Sequence, residues 1–188
     1  MEKRVALYPG SFNPMHVGHV AIARWLVECG SFDEVRLMPS PHNPLKPSSS
    51  SPSSDWHERL EAIRQACMRN NLDIAIEDIE FRLPEPHYTY RTLEALHERE
   101  PDTAFVLVIG ADNLAIIDKW YRGREILAGH EIWVYPRKGY DTGRLIEEAY
   151  AKGALGIRKI NAPLIEISST EIRNAEARGD LSMEKFKA

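Results

Sequence analysis

The chain has 188 residues, 43% of them hydrophobic and 28% charged, with a formal net charge of −4 at pH 7. This length suits one domain with a full core, and the acid-leaning balance disfavours broad, salt-driven nucleic-acid binding, which needs a basic face. No apolar run is long enough to span a membrane and no charged-apolar-cleavage pattern opens the chain. The expectation is therefore one cytoplasmic domain over 1–188, with neither nucleic-acid nor membrane partners.

Arg4 to Tyr8 is a short run apolar on both faces, as a central parallel strand should be. Pro9-Gly10-Ser11-Phe12-Asn13-Pro14-Met15-His16-Val17-Gly18-His19 follows, a glycine-bearing turn that leads into an apolar helix from Val17 to Val27. Asn13 reads as its N-cap with Pro14 in the first turn, and Gly30 as its C′ residue. His16 and His19, three apart, are expected on one face beside backbone N–H groups that have no intrahelical partner. Such a helix start binds phosphate. Gly10, Ser11 and Asn13 keep the turn narrow, and the two imidazoles are placed to donate to phosphate oxygens.

Glu34 to Met38 reads as the second strand, closing a βαβ unit. The Pro/Ser-rich segment 39–54 has no periodic apolar pattern. It is read either as a substrate-facing loop with Lys46 near its centre or as a solvated linker. Asp55 to Asn70 is an amphipathic helix capped by Ser54 or Asp55, followed by a strand over Ile74 to Ile76 and a helix over Thr89 to Glu98. Ala104 to Ile109 is the strongest strand and ends at Gly110-Ala111-Asp112, where a carboxylate is placed for ribose hydroxyls. A short helix around Leu114 to Ile117, Trp120, a helix near Arg124 to Ala128, a strand from Glu131 to Tyr135 and a helix over Thr142 to Lys152 come next. Arg137 follows that fifth strand as a candidate nucleotide contact.

The last strand is expected over Leu164 to Ile167. It runs into Ser168-Ser169-Thr170-Glu171-Ile172-Arg173, where Ser168 and Glu171 fit a capping box. Hydroxyls and free N–H groups at this helix start favour an anion, and Arg173, about one turn on, supplies a forked cation. Cys29 and Cys67 stand outside any metal-spaced cluster and read as buried thiols. Strands alternating with helices give an α/β class: a Rossmann-like, doubly wound, mostly parallel sheet with helices on both faces. The turns after strands one, four and six then meet at the carboxyl ends of the sheet.

Residues 10–19 resemble the GxFxPxHxGH motif of the nucleotidyltransferase superfamily, and Ile167 to Arg173 is similar to its ISSTxIR motif. Nearly the whole chain lies between the two. Tyr88-Thr89, Gly110-Ala111-Asp112 with Trp120, Met38-Pro39 with Lys46, and Arg137-Lys138-Gly139-Tyr140 resemble the bacterial nicotinate-nucleotide adenylyltransferase family in particular. His87 stands where that family has serine, Lys46 comes later than its loop lysine so that His42 competes for its role, and the C-terminal segment is short.

The resemblance implies adenylyl transfer from ATP to nicotinate mononucleotide in NAD biosynthesis, with pyrophosphate leaving. Mg²⁺ would ride on the ATP phosphates, keeping several waters and taking few or no protein ligands. It implies His16, His19, Arg173 and Lys46 as catalytic residues. ATP would be held by Gly10, Ser11, Phe12, Asn13, His16, His19, Gly110, Asp112, Arg137, Ile167, Ser168, Ser169, Thr170 and Arg173. The mononucleotide falls to Ser11, Lys46, Tyr88, Thr89, Asp112 and Trp120. In that reading the Thr89 N–H takes the nicotinate carboxylate and Trp120 stacks on the pyridine ring. Phosphopantetheine adenylyl transfer, use of the amidated mononucleotide, and a non-catalytic ATP sensor are the alternatives; a homo-oligomer is compatible with all.

Overall fold

In the computed structural model, which describes residues 2–41, 56–163 and 165–188, β1 (Lys3–Gly10) lies inside a six-stranded sheet. Its neighbours are β2 (Glu34–Pro39), which pairs in turn with the two-residue β3 (Ala75–Ile76), and β4 (Thr103–Gly110). β5 (Glu131–Tyr135) and β6 (Gly156–Lys159) extend the other side, giving the order β3-β2-β1-β4-β5-β6 with all five pairings parallel. This is the doubly wound order, in which the direction of strand addition switches between β1 and β4 while the strands stay parallel, opening a crevice at their carboxyl ends.

Alternation along the strands sorts the core into two layers. Ala6, Tyr8, Val35, Leu37, Val106, Val108 and Trp133 face α1 (Val17–Glu28) and α2 (Trp56–Arg69). Val5, Leu7, Phe105, Leu107, Ile109, Ile132 and Val134 face α3 (Thr89–Arg99), α4 (Ala111–Ala115), α5 (Gly123–Gly129) and α6 (Thr142–Ala151). Cβ atoms alternate across a strand, so central strands must be apolar at every position, as β1 and β4 are. The seventh helix, α7 (Ser169–Ala177), stands at the carboxyl ends of the strands and is followed by a 3₁₀ segment, Leu181–Phe186.

One expectation fails here. The last strand is Gly156–Lys159, an edge strand with a single buried residue, Ile157, and exposed Arg158 and Lys159. Residues 165–168 form no ladder; Ile167 N–H turns back to the Ile165 carbonyl and the chain goes straight into α7. Apolar β-branched residues there are drawn in by burial of Ile167 rather than by pairing. The cap residues expected at Ser54 and Asp55 lie outside the described residues. Cys67 is buried and Cys29 half-buried, both as free thiols.

Candidate active site

The turn after β1 is shaped by the Phe12 ring, which folds back over Gly10. A Cβ at Gly10 would stand 2.9 Å from that ring, so the glycine is required by its own neighbour. Phe12 takes φ 45°, is buried, and packs edge-on to Tyr8 with centroids 5.4 Å apart. A ligand can thus meet Phe12 through its backbone only, whereas Ser11 and Asn13 are exposed.

The helix does not start where the sequence suggested. The N-cap of α1 is His16, not Asn13. His19 N–H donates to His16 Nδ1 at 3.4 Å, and His16 N–H donates to His19 Nδ1 at 3.2 Å. This is a capping box built from two imidazoles in place of serine and glutamate. The rings stack at 3.6 Å between centroids and 21° between planes, and Gly18 leaves room beneath His16, since a Cβ there would sit 3.1 Å from that ring.

The reciprocal box decides the protonation chemistry. A backbone N–H can only donate, so both Nδ1 atoms are acceptors and each neutral ring carries its proton on Nε2. Burial, then the Arg137 charge, lower the His16 pKa to about 4, with Glu171 opposing. His19 is pushed well below its ordinary value by burial, then by His16 and Arg137. Both rings are therefore neutral Nε2–H donors near neutral pH.

Depressed folded-state values mean that the folded chain prefers unprotonated rings. The His16 contribution to stability is complete above the ordinary value of 6.5 and is lost as pH falls through about 4. In urea titrations across that window, wild type should lose stability on acidification that His16→Asn, which caps without titrating, retains. Parallel losses in both proteins would refute the linkage.

α7 closes the other side of the turn. Ser168 is its N-cap and accepts from Glu171 N–H at 3.2 Å, while the Glu171 carboxylate takes the Ser168 hydroxyl at 2.7 Å. Ser169 Oγ donates to the Pro14 carbonyl at 2.9 Å, and the Arg173 guanidinium donates to the Asn13 carbonyl and, at 3.1 Å, to Thr170 Oγ1. Ile167 is buried with its Cγ2 close over Gly18. The two motifs at opposite ends of the sequence thus touch directly.

The floor between them is a cleft lined by Tyr8, His16, His19, Tyr135, Arg137 and Ile165, among others. Arg137 lies over the Tyr135 ring at 5.2 Å and faces Asp112 Oδ1 at 3.5 Å. Both Asp112 Oδ1 and Arg137 Nε are buried without a hydrogen-bond partner, so this pair meets by charge while both groups keep bonding capacity. Gly110 caps α4, and any side chain there would run into Asp112 Oδ1 and the Tyr135 ring. Asp112 itself sits in the first turn of α4 instead of capping it.

A further cluster sits at the start of α3, at the same end of the sheet. Tyr88 is the N-cap but offers no side-chain bond, which leaves Thr89 at a helix start with free amides. Tyr88 stacks on Tyr121 at 4.7 Å and 18°, and Arg91 lies 5.6 Å and 5.5 Å from the two ring centroids. Trp120 is half-buried and packed against the core layer of β4 and β5, so the open stacking surface beside Tyr88 is the exposed Tyr121. Sequence reasoning missed Tyr121, Tyr8 and Tyr135; an aromatic directly after Trp120 and at the end of two strands was the available signal. Lys46 and His42 lie outside the described residues.

A family model described as cytidylyltransferase-like matches residues 7–175. A Flavobacterium johnsoniae protein named "Probable nicotinate-nucleotide adenylyltransferase" is 40% identical over 176 residues, covering 94% of this chain and 88% of its own. One from Christiangramia forsetii with the same name is 41% identical over 93% of this chain and 87% of its own. Among solved structures, the Plasmodium falciparum nicotinic acid mononucleotide adenylyltransferase complexed with NaAD superposes with TM-score 0.73 at 20% identity, covering 92% and 83% of the two chains. A Vibrio parahaemolyticus structure gives TM-score 0.68 at 24% identity over 99% and 87%. At these identities the structures speak for the fold, and the sequence relatives speak for the family. With the stacked histidine box and the facing α7 start in place, the chain belongs to the cytidylyltransferase-like family and, within it, to the nicotinate-nucleotide adenylyltransferases.

Proposed function

We propose that this chain transfers the adenylyl group of ATP to nicotinate mononucleotide, giving nicotinate adenine dinucleotide and pyrophosphate. The observation that carries the reading is the pair of neutral Nε2–H donors fixed beside the start of α7. The acceptor's phosphate oxygen attacks the α-phosphorus in line, a new P–O bond forms, and the bond to the bridging oxygen breaks as pyrophosphate leaves. No protein nucleophile or general base is needed, because the attacking phosphate is already ionised.

Catalysis then rests on positioning and on charge stabilisation in a preformed site. His16 and His19 donate from Nε2 to α- and β-phosphate oxygens without having to gain or lose a proton. Arg173 spreads a planar cation over the departing phosphates, helped by Ser169 and Thr170 and by the amides at the start of α7. Lys46 is assigned to the same charge, from sequence position alone. Asp112 and Arg137 contact ribose and nucleotide through their open bonding positions, with Gly10, Ser11, Phe12 and Asn13 contributing backbone and Gly110 and Ile167 the walls. The free amides at Thr89 suit the nicotinate carboxylate, and the aromatic surface of Tyr88 and Tyr121, next to the half-buried Trp120, suits its ring.

Among the described residues no group of three or more His, Cys, Asp or Glu side chains could hold a metal ion. Mg²⁺ would be carried by the ATP phosphates with its own waters, where it would neutralise phosphate charge.

The test is Mg²⁺-dependent pyrophosphate release from ATP with nicotinate mononucleotide, its amide, or pantetheine phosphate as acceptor. Release is expected with the acid mononucleotide. Release with pantetheine phosphate alone, or with none of the three, would overturn the proposal.

A further inference from the structure

Four consecutive residues, 13–16, are held by the C-terminal part of the chain. Arg173 takes the Asn13 carbonyl and Ser169 the Pro14 carbonyl. Ala188 N–H donates to the Met15 carbonyl at 3.1 Å, and Lys187 forms an antiparallel bridge with His16. The last two of these contacts come from a segment no motif includes. That segment is itself anchored twice more: the Ala188 carbonyl accepts from Arg69 at the end of α2 at 2.6 Å, and the Lys187 ammonium pairs with Glu176 on α7 and, at 2.8 Å, with Glu184.

Lys187 and Ala188 therefore tie three elements together: the entry to α1, the end of α2, and α7. Because each histidine caps the other's backbone, His16 and His19 move as one body, and any shift of the Met15–His16 backbone carries both Nε2–H donors with it. We propose that the Lys187–Ala188 segment is a positioning strap that sets the distance between the histidine pair and the start of α7.

The strap touches no reacting atom. Its ion pairs are solvent-reached, with the Lys187 side chain 31% exposed and its partners 37% and 52%, so they add little to global stability. What they fix is alignment, and small misplacements of a reacting constellation cost rate steeply.

The inference rests on the adenylyl-transfer reading for its kinetic readout and on magnetic resonance for an independent one. Lys187→Met removes the ion pairs, Ala188→Pro removes the N–H donated to Met15, and Lys187→Arg keeps a cation at the same place. Lys187→Met and Ala188→Pro are each expected to lower kcat roughly tenfold, with KM for ATP nearly unchanged. Lys187→Arg should restore most of the loss. In the nucleotide-free protein the His16 Cε1–H resonance should move in the first two variants and hold in the third.

Unchanged kcat and an unmoved His16 resonance in Lys187→Met and Ala188→Pro overturn the strap. If wild type releases no pyrophosphate with any acceptor but the His16 resonance still responds to Lys187 and Ala188, the activity is wrong and the strap stands. If kcat falls while the resonance stays, the residues act elsewhere and the strap is overturned.

Discussion

His19→Ala is expected to lower kcat by roughly 10²–10³-fold, the usual effect of removing one donor aimed at transition-state charge, while the fold survives. The fold survives because the backbone N–H of residue 19 remains and still donates to His16 Nδ1; only the return bond from His16 N–H is lost. His16→Ala differs in kind. It removes a donor and the N-cap together, so a comparable kinetic loss should be joined by about 1 kcal/mol of destabilisation. His16→Asn separates the two, since asparagine caps well but presents nothing at the Nε2 position. Turnover from pyrophosphate release and stability from urea titration give the two axes. Near-wild-type turnover in His19→Ala would sink its assignment.

Arg36→Met should have the largest effect on stability, about 3 kcal/mol, and none on kcat of the folded fraction. Arg36 is buried on β2 and gathers three carboxylates: Glu34 at 2.8 Å, Glu77 at 3.1 Å and Glu100 at 2.7 Å. Arg99 shares two of them, Glu77 at 2.5 Å and Glu100 at 2.6 Å. Hydrogen bonding to Arg36, then to Arg99, holds the Glu100 carboxyl at about 2. Losing Arg36 leaves Glu77, whose side chain is 5% exposed, with Arg99 as its cation and the Ile79 N–H as a donor, and a buried charge that loses a partner costs more than the pair had contributed. Glu100 follows α3 just before β4, so the cluster lies toward the amino ends of the strands, away from the cleft. A urea midpoint within error of wild type would show that Arg99 alone satisfies the carboxylates.

The sequence was legible wherever burial and period agreed. β1, β4 and β5 are continuous apolar runs, and a sheet covered on both faces demands those. The histidine pair was legible as a pair because spacing three on a helix start admits few other arrangements. Its cap was not, because histidine is a rare N-cap and Asn13-Pro14 offers the commoner chemistry, with Asn13 three residues earlier. β6 escaped because an edge strand needs only one buried side chain, here Ile157, while the more apolar stretch beyond it packs without pairing. Lys187 and Ala188 had no signal at all: their contacts are mostly backbone bonds, which any residue but proline can make. Tyr121 was hidden by Trp120, the larger ring that the core took for itself.

The bond from Ser169 to the Pro14 carbonyl joins positions 155 apart. In time rather than space, this makes the phosphate turn one of the last parts of the molecule to acquire its working form. Local βα units can form early, but closing so long a loop is entropically costly and slow relative to local structure. During synthesis the first motif emerges early and waits, its carbonyls from Asn13 to Met15 met only by water, until residues beyond 168 arrive. A chain interrupted before that point would present a histidine pair without its facing helix, and so without the means to handle ATP. Completion of the chain acts as a licence for the chemistry.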